Sequence, residues 1–244
     1  GPAWQRELTP FTEDRAPLVV ALELTESMNG IDQLPTRLAR AKQKIRDLLA
    51  LRHGARTAII AYAGSAHAVL PLTDDAALIQ LYLDALTQDV MPLPGDRPER
   101  ALALATRMLE GESAAGTILF MTDGIDRSAS DAFRSTFATG PNQLLMLALG
   151  STDESPTAEG GDIAPPVDLA GLESIADAGG GRLTRASVND ADVVALNRLV
   201  QRHLVDAIEA DEDLQWRDAG YALVWPLALM VLAWFRRGWT IQWQ

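Results

Sequence analysis

Two apolar runs that end abruptly in carboxylates and hydroxyls constrain the fold of this chain more than any other feature. The first run reads PLVVALELTESM at positions 17–28, and the second reads GTILFMTDG at positions 116–124. Unbroken apolar runs of this length are typical of central strands in a parallel sheet that is covered on both faces. We therefore predict buried strands at 17–22 and 116–121.

Side chains that carry oxygen atoms follow both predicted strands. In open parallel sheets, ligands bind beyond the carboxyl ends of the strands, where the strand order reverses. Side chains that follow two neighbouring strands therefore meet at one edge of the sheet. Such oxygen-rich sets are the ligands that hard cations such as Mg²⁺ prefer. The sequence thus predicts a cation site that includes Glu23, Thr25, Ser27, Thr122 and Asp123.

The remainder of the first 210 residues alternates between helix-like and strand-like segments. Apolar residues at helical spacing predict helices at 31–52, 74–86, 99–109, 128–137, 169–178 and 190–210. Short runs bounded by turn residues predict further strands at 57–63, 66–72, 143–149 and 182–186. The segment 150–167 is predicted to be a loop because it is rich in Gly, Ser, Thr, Pro and acidic residues.

The connections between these segments predict the topology. A Gly-Ser pair joins 57–63 to 66–72 as a hairpin, whereas the other strands are joined through helices, which implies right-handed crossovers. The predicted fold class is α/β, with a doubly wound, mostly parallel six-stranded sheet and helices on both faces. The strand 17–22 is predicted to be central and flanked by 57–63 and 116–121, with 66–72 as the antiparallel edge strand.

Charge and composition exclude several kinds of function. The formal net charge of the 244 residues is -12, so binding to nucleic acid is not expected, because phosphate contacts need clustered Lys and Arg. The acidic surface fits a divalent cation or a basic protein partner, and a merely solvated acidic surface is the alternative. The chain has no cysteine, which excludes disulfides, thiolate zinc sites and cysteine nucleophiles.

The two motifs resemble those of the von Willebrand factor A (vWA) family. That family carries D-x-S-x-S after its first strand and T-D-G after its fourth strand, and here these positions read Glu23-Leu24-Thr25-Glu26-Ser27 and Thr122-Asp123-Gly124. A threonine in a middle loop completes the family's pattern, and Asp96 stands at that position here. The resemblance covers about residues 4–237 and extends to the membrane-anchored Bat (aerotolerance) proteins, which are encoded beside MoxR-type AAA+ ATPases.

This resemblance implies a metal-ion-dependent adhesion site that binds Mg²⁺ or Mn²⁺. The implied metal-site residues are Glu23, Thr25, Ser27, Asp96 and Asp123; in the family, the two hydroxyls bind directly and the aspartates usually act through water. Glu23 and Asp96 depart from the family's pattern, and a third carboxylate neutralises the cation more than fully. The resemblance further implies a non-enzymatic binding module that works with a MoxR-type ATPase and other vWA proteins in stress tolerance or protein maturation.

Two other interpretations stay open at this point. The first is a metal-free scaffold in which the site has degenerated. The second is a metal-dependent phosphohydrolase-like enzyme that uses Asp96 and Asp123 around Mg²⁺. The enzyme fits the sequence less well, because no nucleophile–base pair and no phosphate-binding glycine loop accompanies these acids.

The C-terminal part of the chain differs in composition. The 17 residues 219–235 carry no charge and contain tryptophans that suit a membrane interface. We predict a transmembrane helix at 219–237; a buried helix of the globular domain is the alternative. Arg236-Arg237 favours a cytosolic tail, and hence a vWA domain on the periplasmic face of a bacterial inner membrane.

The predicted domain organisation follows from these segments. It comprises an entry segment at 1–16, the vWA domain at 17–210, a linker at 211–218, the transmembrane helix at 219–237 and a tail at 238–244. Because the chain begins at Gly1-Pro2 without a methionine, we expect it to be a fragment of a longer protein.

Overall fold

The structure is a computed structural model with two compact units. It describes residues 3–6, 16–112, 114–153, 155–156, 163–210, 216–218 and 221–234. The larger unit comprises residues 14–207, and the smaller one combines residues 1–13 with residues 208–244.

The larger unit contains a six-stranded sheet. Its strands are β1 (Leu18–Glu23), β2 (Thr57–Tyr62), β3 (Ala66–Thr73), β4 (Thr117–Thr122), β5 (Gln143–Ala148) and β6 (Arg182–Arg185). The order across the sheet is β3-β2-β1-β4-β5-β6. All neighbours are parallel except β2 and β3, which form the antiparallel hairpin at one edge. The prediction of a mostly parallel six-stranded sheet is confirmed, as are the central strand, its two flanking strands and the antiparallel edge strand.

Six helices surround this sheet. They are α1 (Arg37–Leu51), α2 (Ala76–Ala85), α3 (Pro98–Leu109), α4 (Ser130–Thr139), α5 (Leu169–Ala178) and α6 (Ala191–Ala210). The helix predicted from residue 31 begins only at Arg37, because the Thr36 hydroxyl accepts a hydrogen bond from the Ala39 N–H at 3.0 Å and caps the helix there. Pro35 also disfavours helical geometry at the residue before it. The predicted loop 150–167 contains a short antiparallel pairing of Ser155–Pro156 with Ile163–Ala164.

Burial explains why the three central strands are mainly apolar. All six residues of β1 are buried, and the same is true of β2 and β4. Val19 and Ala21 belong to an apolar cluster with residues of α3, α4 and α5, in which the rings of Phe120 and Phe133 lie 5.1 Å apart. Helices α1 and α6 bury apolar residues outside this cluster, which agrees with helices on both faces of the sheet.

The smaller unit is described at three segments. Ala3–Arg6 pairs antiparallel with Trp216–Asp218, although the sequence predicted an irregular entry segment and a linker at these positions. The third segment is a helix, α7 (Tyr221–Trp234), with Pro226 inside it. The predicted membrane helix 219–237 extends beyond the described residues at both ends, and the predicted tail 238–244 lies outside them. Within the described segments, no helix combines the length and apolar character needed to cross a membrane.

Candidate functional site

A cavity of about 750 Å³ lies beyond the carboxyl ends of β1 and β4. The two strands are parallel neighbours in register from Leu18 to Leu22, so both end at this edge. The sequence predicted five metal-site residues, and the structure places all of them in the lining of this one cavity: Glu23, Thr25, Ser27, Asp96 and Asp123.

Glu23 joins the two central strands at the base of the cavity. It is the last residue of β1, and its side chain accepts hydrogen bonds at both carboxylate oxygens. Oε1 accepts from the Thr25 hydroxyl at 2.5 Å, and Oε2 accepts from the Thr122 hydroxyl and from the Asp123 N–H at 3.3 Å. The Thr25 and Ser27 hydroxyl oxygens lie 2.9 Å apart. A network of carboxylate and hydroxyl oxygens therefore links the ends of β1 and β4.

Asp96 enters the cavity from a loop that is fastened to the β2–β3 turn. The Gly64 N–H donates to the Leu93 carbonyl at 3.1 Å, and the Arg97 N–H donates to the Ala63 carbonyl at 2.8 Å. At Gly64, a Cβ atom would lie 2.1 Å from the Pro94 carbonyl oxygen, so only glycine allows this approach. Oδ1 of Asp96 is buried and has no hydrogen-bond partner. A buried acceptor without a partner is costly, and a bound cation would satisfy it.

Burial, assisted by repulsion between neighbouring carboxylates, raises the pKa values of acids in the cavity. Burial raises the pKa of Asp96 to about 7, together with the negative charge of Asp123 and of acids in adjoining segments, against the opposite effect of Arg97. Burial also raises the pKa of Glu23 well above its ordinary value, and the charges of Asp123 and Asp96 add to this. Repulsion of this kind shows a site that is short of positive charge.

All described charged residues that line the cavity are acidic. Among the described lining residues, seven are carboxylates and none is Lys, Arg or His. The carboxylates belong to Glu23, Glu26, Asp89, Asp96, Asp123, Asp126 and Asp168. The lining therefore repels anions and attracts cations.

Arg37 contacts a carboxylate of the cavity, although the sequence analysis did not single it out. It begins α1, is fully buried, and its Nη1 lies 2.7 Å from Oδ2 of Asp123. An arginine in the first turn of a helix opposes the helix dipole, which favours acids there. That unfavourable position was the one local signal that Arg37 is held by partners elsewhere in the chain.

The oxygen atoms that line the cavity are of the chemical type that binds a hard divalent cation. Carboxylate and hydroxyl oxygens are the ligands of Mg²⁺ and Mn²⁺, and the unpartnered Asp96 Oδ1 is an acceptor available to a cation. In the part of the chain that the structure describes, no group of three or more His, Cys, Asp or Glu side chains converges as a metal centre. Binding would therefore rest on the two hydroxyls as well as on the carboxylates.

Comparison with known proteins agrees with this architecture. Residues 18–125 match the family model of the von Willebrand factor type A domain. BatB from Bacteroides thetaiotaomicron is similar in structure, with a TM-score of 0.71 and 24% identity over 77% of this chain and 98% of that one. An aerotolerance-related membrane protein from Bacteroides fragilis gives a TM-score of 0.70 and 25% identity over 77% of this chain and 99% of that one.

A more distant structure shares the fold alone. Proximal thread matrix protein 1 from the mussel byssus, in a form whose MIDAS (metal-ion-dependent adhesion site) motif is occupied by zinc, has a TM-score of 0.55 and 14% identity over 79% of this chain and 46% of that one. No curated protein matches the chain by sequence. The matching family model covers β1 to the end of β4, which are the strands that deliver Glu23 and Asp123. Residues 18–125 therefore carry the sequence pattern of a von Willebrand factor type A domain.

Proposed function

We propose that this protein is a non-enzymatic binding module that holds Mg²⁺ or Mn²⁺ at a degenerate metal-ion-dependent adhesion site. The single observation that carries the proposal is the meeting of Glu23, Thr25, Ser27, Asp96 and Asp123 in one cavity at the strand ends. These five side chains would hold the ion. The bound ion would supply positive charge to a cavity whose carboxylates otherwise repel one another.

The roles of the individual residues follow from their contacts. Thr25 and Ser27 offer hydroxyl oxygens 2.9 Å apart on a turn directly after β1. Asp96 offers the unpartnered Oδ1 from the opposite wall. Glu23 and Asp123 lie at the base, where Glu23 also orients Thr25 by accepting a hydrogen bond from its hydroxyl. In this arrangement Glu23 positions the hydroxyls, and the two aspartates supply most of the negative charge that binds the ion.

We further propose that the domain is tethered to a bacterial inner membrane and works with protein partners. The similarity to an aerotolerance-related membrane protein and to BatB supports this. The uncharged segment 219–235, helical where it is described, would belong to the anchor, and Arg236-Arg237 favours a vWA domain on the periplasmic face. The partners are a MoxR-type AAA+ ATPase and other vWA proteins, in stress tolerance or protein maturation.

Metal titration tests the first part of the proposal. Calorimetry with MnCl₂ should give one site in the wild-type chain, and Ser27→Ala should lose it. Asp131→Ala is the matched control, because the side chain of Asp131 is 91% exposed on α4. Equal Mn²⁺ binding by Ser27→Ala and by the wild type would contradict the assignment. Metal-dependent hydrolysis of a generic phosphoester that disappears in Ser27→Ala would overturn the non-enzymatic assignment.

Affinity capture from native membranes tests the partner. The wild-type chain in Mg²⁺ should recover other vWA proteins together with a MoxR-type AAA+ ATPase, which would act through the membrane segment or the tail. Both Ser27→Ala and chelation should reduce the recovery of the vWA proteins. Recovery that is unchanged by the variant and by chelation would separate partner binding from the cavity.

A further inference from the structure

Arg37 is a cationic side chain that contacts Asp123, a carboxylate of the cavity. Its guanidinium is fully buried and makes four hydrogen bonds. Nε and Nη2 bind the two carboxylate oxygens of Asp32 at 2.8 and 3.1 Å, and Nη1 binds Oδ2 of Asp123 at 2.7 Å. Nη2 also donates to the Pro165 carbonyl at 2.8 Å. Paired contacts of this kind suit the planar fork of arginine and would not be met by lysine.

Two glycines make room for this guanidinium. A Cβ atom at Gly30 would lie 2.9 Å from Nε of Arg37, and a Cβ atom at Gly150 would lie equally close. Gly150 also has a φ of +131°, a backbone conformation that residues other than glycine rarely adopt. The backbone on both sides of the guanidinium is therefore shaped to admit it, so the contact with Asp123 is a fixed feature of the fold.

The charges around Arg37 are not paired one to one. Asp32 already offers a complete bidentate partner, so the bond to Asp123 shares the single positive charge of Arg37 between two carboxylates. Asp123 is also the aspartate of the intact T-D-G motif and lines the cavity on its other side. A cation in the cavity must therefore share Asp123 with Arg37.

We propose that Arg37 is a built-in cation that competes with the divalent ion for Asp123 and sets how tightly the cavity binds metal. This inference rests on the proposed metal-binding function. Arg37 lowers the affinity because two cations repel each other across one carboxylate. It also keeps Asp123 compensated when no metal is bound, so folding does not require the ion.

The test removes the guanidinium together with the acid that balances it. The variant Arg37→Met/Asp32→Asn keeps the net charge and leaves Asp123 free of the guanidinium. In calorimetric titration with MnCl₂ it should bind at least about tenfold more tightly than the wild type, since relief of one close charge repulsion corresponds to roughly an order of magnitude. Its midpoint of thermal unfolding should also rise more on addition of Mn²⁺.

A matched control removes a buried ion pair from elsewhere in the same domain. Lys44 and Asp192 form such a pair at 2.8 Å between α1 and the start of α6, and neither residue lines the cavity. Lys44→Met/Asp192→Asn should therefore leave Mn²⁺ affinity unchanged. If Arg37→Met/Asp32→Asn does not fold, Arg37→Gln/Asp32→Asn decides, because glutamine keeps hydrogen-bond donors at this position but removes the charge; it should also tighten Mn²⁺ binding.

The outcomes separate this inference from the proposed function. Tighter Mn²⁺ binding in the Arg37 variants supports the inference, even where the wild type binds too weakly to measure. Wild-type binding with no gain in the Arg37 variants overturns the inference and leaves the metal site standing. Binding by neither the wild type nor the Arg37 variants overturns both.

Discussion

Replacing Asp96 by Asn should change how the stability of the domain depends on pH. The pKa of Asp96 is raised from 3.8 to about 7, so between these values the folded chain binds more protons than the unfolded chain. The contribution of Asp96 to the free energy of unfolding must therefore fall as pH rises through this window. The full destabilisation by the buried, ionised carboxylate is present above pH 7. Asn at this position has no charge to bury and should remove the penalty.

The size of the effect follows from the same pKa values. A pKa of about 7 against 3.8 corresponds to about 4 kcal/mol of unfolding free energy once the carboxyl is ionised, at about 1.4 kcal/mol per pKa unit. Between pH 5 and pH 8, Asp96 alone should cost the wild type at most about 2–3 kcal/mol of unfolding free energy.

Urea denaturation at pH 5, 6, 7 and 8 in the presence of EDTA measures this effect. The wild type should lose stability across the series, and Asp96→Asn should lose clearly less. Asp131→Asn is the control, because its exposed side chain should leave the wild-type slope intact. Millimolar Mg²⁺ should flatten the wild-type slope as well, because a bound cation stabilises the ionised carboxylates. If Asp96→Asn shows the same slope as the wild type in EDTA, the charge argument for the cavity is wrong.

Two further substitutions test the scaffold around the cavity. Lys44→Met leaves Asp192 buried without its ammonium partner, so the free energy of unfolding measured in urea should fall by about 3–5 kcal/mol. Adding Asp192→Asn should restore most of this stability. If Lys44→Met alone is as stable as the wild type, the prediction is wrong. Gly64→Ala places a Cβ against the Pro94 carbonyl and must displace the loop 92–97, so Mn²⁺ affinity should fall about tenfold or more. Gly111→Ala, which has open space around its Cβ position, should have no such effect, and equal affinities in both alanine variants would refute the role of the loop.

The strands and their order could be predicted because their determinants are local. Each central strand is buried at every position, so its sequence is an unbroken apolar run that ends where the cavity begins. The hairpin was visible because only 64–65 separates two strand-like runs, too few residues for a crossover. The start of α1 was missed because apolar spacing continues upstream to residue 31, whereas the Thr36 cap decides where the helix begins.

The electrostatics of the cavity could not be predicted, because they depend on contacts between distant parts of the chain. Arg37 and Asp123 are separated by 86 positions, and nothing in the local pattern around either residue reveals the other. The raised pKa of Asp96 has the same origin, since it depends on burial and on Asp123 from another strand end. The motifs and the family resemblance identified five residues of the cavity, whereas its charge balance depends on contacts that only the fold creates.

Glu23 and Asp96, the two carboxylates that depart from the family's motif, must be considered together with Arg37 when the charges of the site are added. The charges of Arg37 and Asp32 cancel, so the proposed metal ligands contribute three carboxylates, from Glu23, Asp96 and Asp123. A divalent ion compensates two of these charges, which leaves no excess positive charge to attract a carboxylate of a partner. A neutral or cationic group on the partner meets less repulsion here, because four further acids also line the cavity. The same ion that organises the hydroxyls would therefore reduce the acidity of the surface without reversing it, and recognition would depend on how many carboxylates remain ionised around it.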